Sequence, residues 1–320
     1  MPRDLFFALD HGASHSVASV GGRDERHRPV LLQEALRALA PERGGWFFDA
    51  TVGAGGHAEA VLEASAEARL IGVDCDREAL RVASARLARF GDRVQLVHAD
   101  FRDIGRVVAA AGIGELAGVI ADLGVSSLQL DAPERGFSFR FDAPLDMRMD
   151  PEGEAETAAE LLARLPEAEI ARLLWEYGEE RRARLIARAI VQRRQRGEPV
   201  ETTRDLAELV AALVRGRRGR THPATRVFQA LRIAVNRELE DLDRFIVAAT
   251  DLLQPAGRLV VISFHSLEDR IVKQTFRQLA AAGRVELLTK RPIVPTPEET
   301  RANPRARSAK LRALRRADRQ

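Results

Sequence analysis

The 320-residue sequence holds a single cysteine, Cys75, which excludes a disulfide within the chain and any cysteine-rich zinc site. That usage fits a reducing compartment, so a cytoplasmic location is expected. Aromatic residues are only 5% of the chain, with one tyrosine and two tryptophans, so nothing points to an aromatic cage or a base-stacking sheet. No apolar stretch approaches the ~18 residues of a membrane helix, and no membrane partner is expected. Residues 1–26 lack an apolar signal core with a cleavage site and read as a disordered extension without assigned function. Within them, His11 and His15 have a spacing that can share a metal on a helix, but the surrounding Gly and Ser residues give a weak helical pattern, and no metal is expected. Internal repeats and low-complexity runs are absent.

Lysine is scarce too, with only Lys273, Lys290 and Lys310; the other basic residues are arginines. The net charge is +3, unevenly spread: residues 284–320 carry eleven basic and four acidic side chains. A basic tail on a near-neutral body points to a polyanion partner. The plain alternative is a solvated arginine-rich end.

The length and 45% hydrophobic content suffice for one large or two ordinary domains. Helical spacing over Pro29–Leu39 is followed by short apolar runs alternating with helical patterns. Trp46–Phe48, Leu70–Val73, Val94–Val97 and Ala117–Ala121 read as strands, the first two closing on Asp49 and Asp74. Helices are expected at about 57–66, 77–90 and 102–111. Such alternation gives a parallel sheet with helices on both faces. Beyond a charged, Gly- and Pro-containing loop at 131–151, the chain is helical in pattern to about Leu253. Arg258–Ile262 is then a β-branched strand, and Val285–Leu288 a weaker candidate. The expected architecture is an α/β core at 27–139 and 237–320, interrupted by an all-helical insertion at 140–236. One continuous mixed fold is the alternative.

The run Asp49-Ala50-Thr51-Val52-Gly53-Ala54-Gly55-Gly56-His57 joins the first strand to a helix. Its glycines permit φ > 0 and close approach of the backbone to a ligand. Asp74, 21 residues after Gly53, suits a carboxylate that accepts from ribose hydroxyls. Gly53-x-Gly55-x-x-Ala58 also fits the dinucleotide fingerprint of an NAD(P) oxidoreductase. Two features favour S-adenosylmethionine: Asp49, placed to receive its amino group or to orient the loop, and Asp100-Phe101 after the third strand, an acid and a ring able to hold adenine.

After the fourth strand comes Asp122-Leu123-Gly124-Val125-Ser126-Ser127-Leu128-Gln129-Leu130, then Arg135-Gly136-Phe137-Ser138-Phe139 and Pro144-Leu145-Asp146-Met147-Arg148-Met149-Asp150. A loop so long and polar is uncommon unless it serves a site. With His27-Arg28-Pro29, Tyr177-Gly178-Glu179-Glu180-Arg181, His222-Pro223-Ala224-Thr225, Asn236-Arg237-Glu238-Leu239, Ser263-Phe264-His265-Ser266-Leu267-Glu268-Asp269-Arg270 and Asn303-Pro304-Arg305-Ala306-Arg307, the chain resembles the RsmH (MraW) family of 16S rRNA cytosine-N4 methyltransferases over about residues 27–316. Leu128 stands where that family usually has Pro, and Thr296 where Ser is common.

The resemblance implies a class I (Rossmann-like) S-adenosylmethionine-dependent methyltransferase sheet with an inserted helical domain. It implies donor contacts at Gly55, Gly56, His57, Asp74, Phe101, Asp122 and Gln129, beside Asp49 and Gly53. It implies a decoding-centre (P site) cytidine of 16S rRNA in the small ribosomal subunit as target. The sequence leaves the oligomeric state open, a monomer or a homodimer.

The cytosine N4 lone pair is delocalised and a poor nucleophile, so placing it ~3 Å from the methyl carbon is the main requirement. The Asp/Asn-Pro-Pro-aromatic motif of many amino-methyltransferases is replaced here by Asp122-Leu123-Gly124-Val125. Asp122 is therefore expected to border donor and base, with Asp146 and Ser126 as further polar candidates. His265 either contacts RNA or caps the helix starting near Ser266. The RNA surface is expected on the insertion, at Arg215, Arg217, Arg218 and Arg220, and on the tail, at Arg305, Arg307, Lys310, Arg312, Arg315 and Arg316. The competing readings are an oxidoreductase, an RNA-binding module with a vestigial fold, and a methyltransferase acting on a protein or small molecule.

Overall fold

The computed structural model describes residues 6–7, 29–214 and 222–318. Among the described residues no helix is long and apolar enough to cross a membrane. They form two compact units, one built from residues up to Gly124 and from Asp241 onward, the other from Val125–Glu240.

The first unit is an eight-stranded sheet. Its strands are β1 (Phe6–Phe7), β2 (Gly45–Asp49), β3 (Ala68–Asp74), β4 (Val94–His98), β5 (Leu116–Asp122), β6 (Leu253–Ser263), β7 (Val285–Leu287) and β8 (Lys310–Arg316), in the spatial order β1-β4-β3-β2-β5-β6-β8-β7. Strands β4, β3, β2, β5 and β6 run parallel. Their interiors are almost wholly buried, which is why they read as continuous apolar runs rather than alternating ones.

Helices cover both faces. On one side α1 (Leu32–Leu39), α2 (Gly56–Ala64) and α3 (Arg77–Leu87) bury Leu39, Leu62 and Leu80 against Phe47, Leu70 and Ile120. On the other, α4 (Ile104–Ala110), α11 (Leu242–Leu252) and α12 (Ser266–Ala281) bury Val107, Phe245 and Phe276 against Phe48, Val119 and Val261. The chain builds outward from β2 through β3 to β4, then returns to place β5 on the other side of β2. This reversal makes the carboxyl ends of β2 and β5 a topological switch point, where open α/β sheets bind ligands.

The basic tail departs from expectation. It is not a solvated run: Lys310–Arg316 is β8, antiparallel to β6 and β7 and inserted between them. Leu311 and Ala313 enter one core and Leu314 the other, as strand alternation requires. Arg312, only 7% exposed, donates through Nε to Asp269 Oδ1 at 2.7 Å, and Lys310 Nζ reaches Asp269 Oδ2 at 3.2 Å. Arginines interrupting the apolar pattern hid this strand, because the charge that one of them buries is matched by a carboxylate 43 residues earlier. In the N-terminal segment expected to be disordered, Phe6 and Phe7 pair antiparallel with Val97 and Leu96; residues 8–28, with His11 and His15, lie outside the described residues.

The second unit is all-helical: α5 (Ser127–Asp131), α6 (Ala158–Arg164), α7 (Glu167–Glu176), α8 (Ala183–Gln195), α9 (Thr203–Leu213) and α10 (Thr225–Asn236). These helices close on a core of their own that includes Leu162, Leu174, Ile190, Leu206, Phe228 and Leu231. The unit spans Val125–Glu240, where 140–236 was expected, and takes in α5, capped by Ser126 within the polar loop. The segment between α10 and α11 is also not continuous helix. Arg237 and Asp241 take left-handed φ of 53° and 54° there, breaking the helical pattern read to Leu253.

Candidate active site

The carboxyl ends of β2, β3 and β5 deliver Asp49, Asp74 and Asp122 to the same edge of the sheet, since the three strands are adjacent and parallel. The glycine turn leaves β2 between them. Gly53 has φ +51° and Gly55 φ +80°, conformations that side chains other than glycine seldom adopt. A Cβ on Gly53 would meet nothing nearer than the Thr51 carbonyl oxygen at 3.9 Å, so the turn faces open space. A Cβ on Gly56 would stand 2.5 Å from Pro29 Cγ, so here glycine is required by the segment packed on it.

Asp74 binds the turn itself. Its Oδ2 accepts from Gly53 N–H at 2.8 Å and its Oδ1 from Asp76 N–H at 2.9 Å. Burial pushes its pKa up to about 6 against the pull of those two donors. Asp49 is 2% exposed and accepts from Thr51 N–H at 3.1 Å; its Oδ2 has no hydrogen-bond partner among the described residues. Burial, opposed by His57 and by the Thr51 N–H and reinforced by Asp122 and Asp74, pushes its pKa up to about 7.

His57 lies in the first turn of α2, and its Nε2 is 3.5 Å from Asp122 Oδ2. The ring is buried, and neither nitrogen has a hydrogen-bond partner among the described residues; Asp122 Oδ1 is likewise buried and unpartnered. Burial works against the imidazolium, but Asp122 and then Asp49 more than offset it, and the His57 pKa lies above its ordinary value. Two carboxylates beside one imidazole, with a third, Asp74, at the same sheet edge and several buried oxygens and nitrogens uncompensated, favour a ligand that is cationic and rich in donors. A sulfonium carrying an amino group and ribose hydroxyls has those properties, so the residues fit S-adenosylmethionine.

Sequence reasoning gave no role to Thr51. Its Oγ1 accepts from the Asp122 N–H at 2.7 Å, tying β5 to the start of the turn. The signal was present, since Thr51 lies within the glycine run, but a hydroxyl that serves a backbone N–H 71 residues away leaves no local pattern.

Phe101 packs edge-on against Phe245, with ring centroids 5.0 Å apart. Asp100, expected to help hold adenine, already binds Arg102 through both carboxylate oxygens, at 2.7 Å from Nε and 2.5 Å from Nη2. His265 is the N-cap of α12: Nδ1 accepts from Glu268 N–H at 3.3 Å, while Glu268 Oε2 accepts from the N–H groups of Phe264 and His265. Of the two roles expected for it, this geometry provides the cap.

In the helical unit, Ser126 Oγ accepts from Gln129 N–H at 3.2 Å and Gln129 Oε1 accepts from Ser126 N–H at 2.9 Å, a reciprocal capping box with Gln129 buried. Asp146 binds Arg148 through both oxygens at 2.8 Å. Burial pushes its pKa up, but Arg148 outweighs this and holds it below the ordinary value. Both groups are thus engaged within their own loop. Of the expected RNA contacts, Arg307 is exposed, Arg305 is half-buried, and Lys310 is drawn to Asp269. Arg215, Arg217, Arg218 and Arg220 lie outside the described residues.

The chain matches the sequence model of the MraW methylase family over residues 24–317. The ribosomal RNA small subunit methyltransferase H of Heliobacterium modesticaldum is 52% identical over 306 residues, covering 90% of this chain and 97% of its own. The protein of the same description from Sorangium cellulosum is 53% identical over 295 residues, covering 92% of each chain. A third, from Pelobacter propionicus, is 50% identical over 308 residues, covering 90% of this chain and 98% of its own.

Proposed function

The chain belongs to the MraW methylase family, and on that premise we propose that it transfers a methyl group from S-adenosylmethionine to the exocyclic N4 amine of one cytidine in the 16S rRNA of the small ribosomal subunit. The observation that carries the reading is the acidic crevice at the switch point, where Asp49, Asp74 and Asp122 meet the Gly53–Gly55 turn.

The donor supplies an electrophilic methyl group on a cationic sulfur. Asp74, its carboxylate oriented by the Gly53 and Asp76 N–H groups, keeps free lone pairs for ribose hydroxyls. Asp49 offers its unpartnered Oδ2 to the amino group. Gly53 keeps the turn clear of side chain, and Phe101 offers a ring to the adenine. Asp122 borders the acceptor amine, drawing on its protons as positive charge develops. The cytosine must leave its stack to reach such a crevice.

RNA recognition is assigned to the helical unit and to the exposed Arg307, with Trp175 (60% exposed) and Phe141 (48% exposed) available for stacking on bases. The target cytidine is placed in the decoding centre, and the substrate is the assembled or late-stage subunit in the cytoplasm.

The test is transfer of labelled methyl to small subunits that lack this modification, followed by digestion to nucleosides. Label in N4-methylcytidine is expected. Label confined to another nucleoside, to protein, or absent altogether overturns the reading.

A further inference from the structure

An amine that gains a methyl group must give up a proton, and the crevice contains a pair of groups built to take it. Asp122 keeps 24% of its side chain exposed although Oδ1 is buried, and Oδ2 is the oxygen 3.5 Å from His57 Nε2. His57 is only 7% exposed and both ring nitrogens are shut away from solvent without a hydrogen-bond partner among the described residues. Through Nε2 the ring therefore communicates with the crevice by way of Asp122. A buried imidazole costs free energy unless it is used or paired, and here the Asp122 carboxylate stands 3.5 Å from its Nε2.

We propose that Asp122 receives the proton released by the methylated amine and that His57 holds it, so that the two act as one proton acceptor. This rests on the functional reading above. The N4–carbon bond forms as the sulfur–carbon bond breaks, whose electron pair goes to sulfur and cancels its charge. The nitrogen, now cationic, gives one of its two protons to Asp122 Oδ2. That proton moves on to His57 Nε2 as the pair closes to hydrogen-bond distance, leaving imidazolium beside carboxylate, and it returns to solvent once product departs. His57 is a positioning and proton-holding residue acting through Asp122.

The electrostatics agree. Burial weakens the imidazole as a base, yet Asp122 on β5 and Asp49 on β2 together bring its pKa above the ordinary value. Asp74 on β3 acts on Asp49 in turn. The other charged groups on and around α2 pair among themselves or with backbone: Arg86 of α3 donates to the Ala54 carbonyl and lies 3.7 Å from Glu59 of α2, Arg89 just after α3 binds Glu59 and Glu63 of α2, Arg37 and Glu34 of α1 bind each other, and Arg43 of the turn before β2 donates to the Ala256 carbonyl; Glu42 of that turn is exposed.

The test reads the pair directly in the free, full-length protein by NMR titration of isotope-labelled imidazole. His57 should titrate above 6.5, and its pKa should fall in Asp122→Asn. In methyl transfer to subunits, the wild-type rate should rise with pH through that same pKa. His57→Asn and His57→Gln should both lose this limb and fall by roughly 10²-fold in kcat. A His57 that titrates at or below 6.5, or is indifferent to Asp122→Asn, overturns the proposal, as does either His57 variant that keeps the wild-type pH profile. A wild-type protein that shows the coupled titration but methylates no cytidine overturns the functional reading, and with it the source of the proton, while the pair itself stands.

Discussion

The Thr51 hydroxyl oxygen accepts the backbone N–H of Asp122 at 2.7 Å, and so fixes the end of β5 against the first residues of the glycine turn. The Thr51 N–H in turn donates to Asp49 at 3.1 Å. One small residue thereby sets the spacing of two of the three acids in the crevice. Thr51→Val keeps the shape and removes the acceptor, leaving the Asp122 N–H unpaired. Chemical denaturation should show a loss of about 1–3 kcal/mol. Donor affinity, followed by calorimetry, should fall as well, while Thr51→Ser retains both. A valine variant with wild-type stability and affinity would remove Thr51 from this role.

Gly53 separates conformational cost from ligand room. With φ +51° and open space ahead of its missing Cβ, Gly53→Ala should fold, losing about 1–2 kcal/mol for the left-handed backbone. The added methyl stands where the turn faces the crevice, so S-adenosylmethionine affinity should fall by about tenfold or more. An alanine variant that binds the donor as wild type does would show that this face of the turn is not used.

The buried acids give the free protein a pH dependence of defined sign. Asp49 has its pKa pushed up to about 7 in the folded chain from an ordinary 3.8. The native state therefore holds this proton more tightly than the unfolded one, and stability is lost as pH rises from about 4 to about 7. Asp49→Asn removes that loss, and thermal melts at pH 7.5 should show it more stable than wild type by up to a few kcal/mol. The advantage should vanish at pH 4. A cationic donor should bind the wild type more tightly as pH rises through this window and the carboxylates ionise. An affinity that falls with pH there would contradict the acidic crevice as the donor site.

Arg312 and Arg307 are both in the basic tail but have different jobs. Asp269→Ala leaves the nearly buried Arg312 without its carboxylate and should cost about 3–5 kcal/mol. Arg312→Met, which removes the charge and keeps much of the volume, should be milder and should leave the salt dependence of RNA binding unchanged. Arg307→Ala should leave stability unchanged and reduce the slope of log affinity against log salt by about one. If the Arg312 and Arg307 variants shift that slope alike, the tail does act as a single electrostatic surface.

Much of the fold was readable because its signals are local. Strand β3 is a short apolar run closing on Asp74, and the Asp49–His57 run announces a strand, a tight turn and a helix start within nine residues. Strand β8 was not readable: Lys310-Leu311-Arg312-Ala313-Leu314 looks like part of a basic tail until Asp269 is seen beside Arg312. Arg102 is similar, since nothing in the sequence says that it will occupy the carboxylate of Asp100.

By itself the sequence determined the residue types of the crevice and the order in which the strands bring them, because periodicity, glycine punctuation and terminal acids are properties of neighbours along the chain. Only the tertiary structure decided which polar groups are committed and which are free. It closed Ser126, Asp146 and His265 into caps and loop pairs, and left Asp49, His57 and Asp122 with unpartnered atoms among the described residues. The reason is physical: a hydrogen bond or an ion pair depends on distance in space, and the partners of Asp122 lie 65 and 71 residues away along the chain.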